Sequence, residues 1–72
     1  LDDADLPRAV KNGVGACLLN SGQTCSALTR LLVPRARLEE ATRLAVEAAR
    51  GFVVGDPFDA ATRLGPLVSS AQ

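Results

Sequence analysis

Asn20-Ser21-Gly22-Gln23-Thr24-Cys25 decides how the chain is read. It is a polar, glycine-containing turn that delivers one cysteine between two segments of opposite character. Ahead of it, Leu6 to Leu19 reads as a helix; behind it, Ala27 to Val33 reads as a strand. A thiol at such a junction can be exposed and aimed. That placement suits a nucleophile, because the thiolate is the attacking form and a helix end or backbone N–H favours it. The turn alone leaves a second reading open, in which Cys25 is a small buried hydrophobe like most free cysteines.

The helix ahead of the turn has its start signal in Asp3 or Asp5, either of which can cap it. Pro7 is compatible with a first turn, where N–H groups lack intrahelical partners. Leu6, Ala9, Val10, Gly13, Val14, Cys17 and Leu18 follow the spacing of one apolar helical stripe, with Arg8, Lys11 and Asn12 opposite. Gly13 on that stripe predicts close approach of another backbone. Cys17 shares the stripe and reads as a packed small residue. Asn20 to Gly22 end the helix, since Asn and Gly tolerate the left-handed conformation used there.

Behind the turn, Leu28, Arg30 and Leu32 share one face of the predicted strand, and Thr29, Leu31 and Val33 the other. Apolar residues on both faces predict burial inside a larger sheet, with Arg30 reaching water from its end. Pro34 closes the segment. Arg35 to Arg50 is the clearest helix, with Leu38, Ala41, Ala45, Ala48 and Phe52 on one stripe. Glu39 and Arg43 are spaced as an i, i+4 pair, and Gly51 is placed as the stop. Gly55-Asp56-Pro57 then turns the chain, Asp59 to Leu67 reads as loop, and Ser69 is placed to cap a further helix. The order is helix, strand, helix, loop. One strand cannot make a sheet, so the fold class expected is α/β with the sheet partners outside the chain.

Composition bounds what such a chain can be. Its 72 residues allow one small domain at most, and a domain near this size buries only about 60% of its unfolded surface. Apolar residues make up 47%, yet only Phe52 and Phe58 are aromatic, so any core is Ala, Val and Leu. Eight basic and eight acidic residues cancel. That balance offers no electrostatic footprint for nucleic acid or an anionic membrane. No apolar run approaches the length of a transmembrane helix. Two cysteines without histidine exclude a zinc site of the usual ligand count. Few cysteines and no signal peptide point to a reducing, cytoplasmic setting. A start without Met and a Ser69-Ser70-Ala71-Gln72 end placed like a helix cap lead us to expect a piece of a larger protein.

Four stretches together resemble the aldehyde dehydrogenase superfamily. Leu1-Asp2-Asp3-Ala4-Asp5-Leu6 is similar to the segment after that family's Glu-Leu-Gly-Gly motif. Asn20-Ser21-Gly22-Gln23-Thr24-Cys25 resembles its catalytic-cysteine motif, with Arg30 at the usual distance behind. Val54-Gly55-Asp56-Pro57-Phe58-Asp59 and Leu64-Gly65-Pro66-Leu67-Val68-Ser69 resemble two downstream signatures. Their order, and the helix between the second and third, make the resemblance far more specific than a lone Gly-x-x-Cys. One local departure is Leu18-Leu19-Asn20-Ser21, where many members carry aromatic residues and Asn-Gln.

The resemblance implies that residues 1–72 are part of a catalytic domain, with the cofactor-binding domain absent from this chain. It implies thiol-based oxidation of a small-molecule aldehyde with NAD or NADP. Cys25 is then the nucleophile, its own backbone N–H an oxyanion donor, and Thr24 and Ser26 either line the substrate pocket or support the turn. The family's general-base glutamate, its oxyanion asparagine and its cofactor contacts map outside the chain. The complete enzyme is expected to be a homodimer or homotetramer, without nucleic-acid or membrane partners. Passage of the acyl group to CoA in place of water is one alternative within the family. A non-catalytic structural or interaction member is another.

Overall fold

The computed structural model describes residues 3–72. Leu1 and Asp2, which open the first of the four signatures, lie outside the described residues. Helix α1 spans Leu6–Leu18. Of the two candidate caps, Asp5 takes the role: its Oδ1 accepts the Arg8 N–H at 3.1 Å. A 3-10 turn, Leu19–Gly22, continues from the helix end. A second 3-10 turn, Arg35–Arg37, leads into helix α2, Leu38–Arg50. The helix expected from Arg35 therefore begins as a tighter turn, closed by the Arg37 N–H on the Pro34 carbonyl at 2.9 Å.

Arg37 ties the starts of the two helices together. Its Nε and one terminal nitrogen donate to the Glu40 carboxylate at 3.1 and 3.2 Å. The other terminal nitrogen donates to the Ala4 carbonyl at 3.4 Å. The expected Glu39–Arg43 pair does not form; Arg43 pairs with Glu47 at 3.0 Å instead. Glu39 and Glu47 each lie one helical turn from Arg43, so the two carboxylates compete for one guanidinium on an exposed face. Gly51 ends α2 as expected but keeps right-handed dihedrals, φ −73° and ψ −7°.

The helices meet at Leu6, Val10 and Ala41, all buried, with Val14, Val33, Leu44 and Ala45 packed around them. Ala41 presents only a methyl group, which lets α2 approach α1 closely enough to seal Val10 from solvent. Gly13 meets a side chain where another backbone was expected: a Cβ there would lie 3.7 Å from Leu31 Cδ1.

The predicted strand is absent. No β-strand forms among the described residues, and residues 27–33 make no ladder hydrogen bond. Leu28, Leu31 and Leu32 are 56%, 48% and 88% exposed. The cause is physical: a strand is a property of two paired segments, and the described residues supply no partner edge. Within its own residues the chain is thus two packed helices and loops, not the helix–strand–helix unit of an α/β fold. What β pairing the described residues show is one isolated parallel bridge between Val54 and Leu64.

That bridge closes a compact loop. The Gly55 N–H donates to the Leu64 carbonyl at 3.1 Å, and the Leu64 N–H to the Val53 carbonyl at 3.0 Å. Inside it, Asp56 and Asp59 each accept a backbone N–H two residues on, from Phe58 and Ala61, both at 2.9 Å. Such side-chain-closed turns are what Asp supplies in loops.

The surface is large for the mass. It amounts to 5831 Å², against about 4,200 Å² for a compact folded chain of this size. The radius of gyration is 13.9 Å, against about 11 Å for a compact domain of this length. Among the described residues, eleven large hydrophobic residues are exposed while three hydrophobic residues are buried. Among the described residues, no helix is long and apolar enough to cross a membrane.

The bridged loop yields a packing prediction. A Cβ on Gly55 would lie 2.8 Å from Thr62 Oγ1. Gly55→Ala should therefore destabilise the intact protein by about 1–3 kcal/mol. Adding Thr62→Ala removes the opposing oxygen and should recover most of that loss. Urea midpoints of the single and double variants measure both effects; equal midpoints for wild type and Gly55→Ala would show that the loop gives way freely.

Candidate functional site

The site is built on an unusual run of backbone. Asn20 (φ 53°, ψ 43°), Ser21 (φ 57°, ψ 32°) and Gly22 (φ 76°) are all left-handed. Gly22 adopts this without penalty, and Asn is the best tolerated of the other residues. Ser21 is not favoured there, since the left-handed region costs an L-residue about 1–2 kcal/mol.

Hydrogen bonds hold the run in place. The Gln23 N–H and the Gln23 Nε2 both donate to the Asn20 carbonyl, at 3.1 and 3.2 Å. Asn20 Nδ2 returns a bond to the Gln23 carbonyl at 3.4 Å. Two further bonds leave the turn for a distant loop. Ser21 Oγ donates to the Gly65 carbonyl at 3.0 Å. Gln23 Oε1 accepts the Val68 N–H at 2.8 Å.

A reverse turn follows, closed by the Ala27 N–H on the Thr24 carbonyl at 2.9 Å. Cys25 and Ser26 form its tip, and both are exposed. Among the described residues, the Cys25 N–H donates to no protein oxygen. Thr24 is half-buried, and its hydroxyl donates to the Leu19 carbonyl at 3.1 Å. Its hydroxyl therefore braces the turn, while Ser26 stands beside the thiol. Cys17 lies half-buried on α1, apart from the turn in which Thr24, Cys25 and Ser26 are brought together.

Ser21 and Gln23 were readable from sequence only as turn residues. Their partners lie 44 and 45 positions further on, beyond the reach of any local pattern. The one hint was two polar side chains flanking Gly22, each able to donate or accept a bond.

A separate cavity of about 700 Å³ opens between the helices, lined by Lys11, Leu44, Phe52 and Arg63 among others. The Arg63 guanidinium lies over the Phe52 ring, 5.6 Å from its centroid. Thr24, Cys25 and Ser26 do not border this cavity, so it is not the approach to the thiol.

Exposure separates the two thiols. In the intact folded protein, substoichiometric iodoacetamide at neutral pH should label Cys25 well before Cys17. Peptide mass spectrometry over a time course, with denatured protein as the equal-access control, checks it. Faster labelling of Cys17 would contradict the placement of both residues.

Comparison with known proteins places this geometry. Residues 1–72 match the aldehyde dehydrogenase family. The chain is 50% identical over 72 residues to a 3-succinoylsemialdehyde-pyridine dehydrogenase of a Pseudomonas species, covering 100% of this chain and 15% of that protein. It is 42% identical over 71 residues to a betaine aldehyde dehydrogenase of Brucella ovis, covering 99% and 15%. Among solved structures, it is similar to a mutant aldehyde dehydrogenase from Pseudomonas syringae in complex with NAD+ and octanal. The TM-score is 0.93 at 49% identity, over 99% of this chain and 15% of that one. The chain thus spans 15% of the length of these relatives.

Proposed function

The chain belongs to the aldehyde dehydrogenase family, and from that premise we propose that it carries the nucleophile of an NAD(P)-dependent aldehyde oxidation, Cys25. One observation supports this most: an exposed thiol at the tip of a hydrogen-bonded turn, with the N–H of the same residue unspent. In this reading the Cys25 thiolate attacks the aldehyde carbon. A carbon–sulfur bond forms, and the carbonyl π pair moves to oxygen. The Cys25 N–H meets the charge that develops there, as an oxyanion donor should.

Oxidation of the adduct then requires a hydride acceptor. A dinucleotide is the acceptor class this reading assigns, and the related Pseudomonas syringae structure contains NAD+. The residues of this chain do not fit it. The described residues form no strand–glycine loop–helix unit of the kind that cradles a pyrophosphate. The cofactor therefore belongs to other parts of a larger protein.

Five of the acids are also committed elsewhere, while Asp3 and Glu39 are exposed, ahead of α1 and on α2. Asp5 caps α1, Glu40 and Glu47 pair with arginines, and Asp56 and Asp59 close their own turns. This reading places the base that activates water against a Cys25 thioester outside these residues as well. Residues 1–72 accordingly act as part of a catalytic domain, whose remainder covers the exposed leucines and valines.

Two experiments test the reading. In the complete enzyme, Cys25→Ser should remove nearly all aldehyde oxidation while cofactor titration stays close to wild type, because serine is a weak nucleophile without an adjacent base. Retention of most of kcat would refute the assignment. Expressed alone, residues 1–72 should show no dehydrogenase activity and a broad, weakly cooperative thermal transition. A sharp melt with strong near-ultraviolet circular dichroism would show a self-sufficient domain.

A further inference from the structure

We propose that Gln23, together with Ser21, is a positioning residue for Cys25, acting as a clasp between the cysteine turn and the Gly65–Val68 loop; this rests on Cys25 being the nucleophile. Gln23 uses both ends of its amide. Oε1 accepts from the Val68 N–H at 2.8 Å, and Nε2 donates to the Asn20 carbonyl at 3.2 Å. Each end meets a partner of the opposite hydrogen-bonding type, so the amide has one orientation that satisfies both. No other side chain of this length does so. Glutamate sets a second acceptor against the Asn20 carbonyl, and methionine offers neither function.

The clasp acts where the backbone most needs support. Left-handed Ser21 is disfavoured on its own, and its hydroxyl is the second bridge, to the Gly65 carbonyl at 3.0 Å. The two bridges leave the turn on either side of Gly22 and land three residues apart on the same loop. Rotation of the turn about either bond alone is thereby blocked. Cys25 follows two residues later, so the direction in which its thiol and its N–H point is set by this pair of bonds. A small misplacement of a reacting group can cost on the order of 100-fold in rate without touching binding. The clasp should therefore appear in kcat, not in KM.

The test uses the complete enzyme with Gln23→Met, which keeps the side-chain length and removes both bonds. We expect kcat to fall by about 10- to 100-fold, with KM for aldehyde changed less than about twofold. Alkylation of Cys25 by iodoacetamide should persist within about threefold of wild type, since a small diffusing reagent needs an accessible thiol and not an aimed one. A merely structural role would instead lower the active fraction and the thermal midpoint while leaving kcat per active site unchanged. Ser21→Ala cuts the second bridge and should lower kcat in the same manner, with the double variant less than multiplicative because both bonds serve one clasp. If Gln23→Met does not fold, Ser21→Ala decides: wild-type kcat there overturns the inference. Wild-type kcat in a folded Gln23→Met overturns it equally. Activity retained by Cys25→Ser is a different result, which refutes the nucleophile and not the clasp.

Discussion

Val10, packed against Ala41 between the two helices, is the one side chain among the described residues that is wholly shut off from water. Val10 is wholly buried, and Ala41 nearly so. A fully buried valine contributes about 1.5–3 kcal/mol, and few other side chains here come close to full burial. Everything else is hung from this helix pair. The cysteine turn leaves the end of α1, and the bridged loop leaves the end of α2. Arg37 secures the opposite end by holding Glu40 and the Ala4 carbonyl at once.

Two kinds of order therefore coexist. Near Val10 the order is apolar and non-directional. At Cys25 it is polar and directional, carried by single hydrogen bonds on half-exposed residues. Packing fixes how far apart elements lie, whereas a hydrogen bond also fixes an angle. In the proposed reading Cys25 must approach a small electrophile from one side, and such a group needs the second kind of order. Ser21 and Gln23 supply it at a place where bulky apolar neighbours would block the approach.

What the sequence made legible follows the range of the forces involved. Both helices were readable because spacing, the Asp5 cap and Pro7 act within a few residues. The left-handed ending was readable at Asn20 and Gly22 for the same reason. At Ser21 it was not, because its dihedral angles depend on a bond to Gly65. The segment from Ala27 to Val33 has the composition of a strand, but pairing needs a second edge, and composition cannot reveal whether one is present. Gly13 signalled a close neighbour correctly in kind, yet the neighbour is the Leu31 side chain and not a backbone. Cys25 stood out by its turn and by the motif the turn resembles; Gln23 showed only as a polar residue beside Gly22, with nothing local to reveal its bond to Val68.

The clasp and the helix pair depend on each other. The Ser21–Gly65 bond spans 44 residues. Bringing the ends of so long a flexible segment together costs about 3 kcal/mol in chain entropy, before the constant for closure is added. Two hydrogen bonds return about 1–3 kcal/mol net, which does not hold the loop closed by itself. Helix packing lowers the cost, because α2 takes up 13 of the intervening residues as a rigid rod already docked on α1. What remains outside the helices is the stretch 23–34 and a short segment after Arg50 that is stiffened by the Val54–Leu64 bridge. Geometry at an exposed thiol thus rests on burial of one valine some fifteen positions earlier in the chain. It also explains why the exposed apolar surface matters to the site: whatever covers it stabilises the helix pair, and through that pair the direction in which Cys25 points.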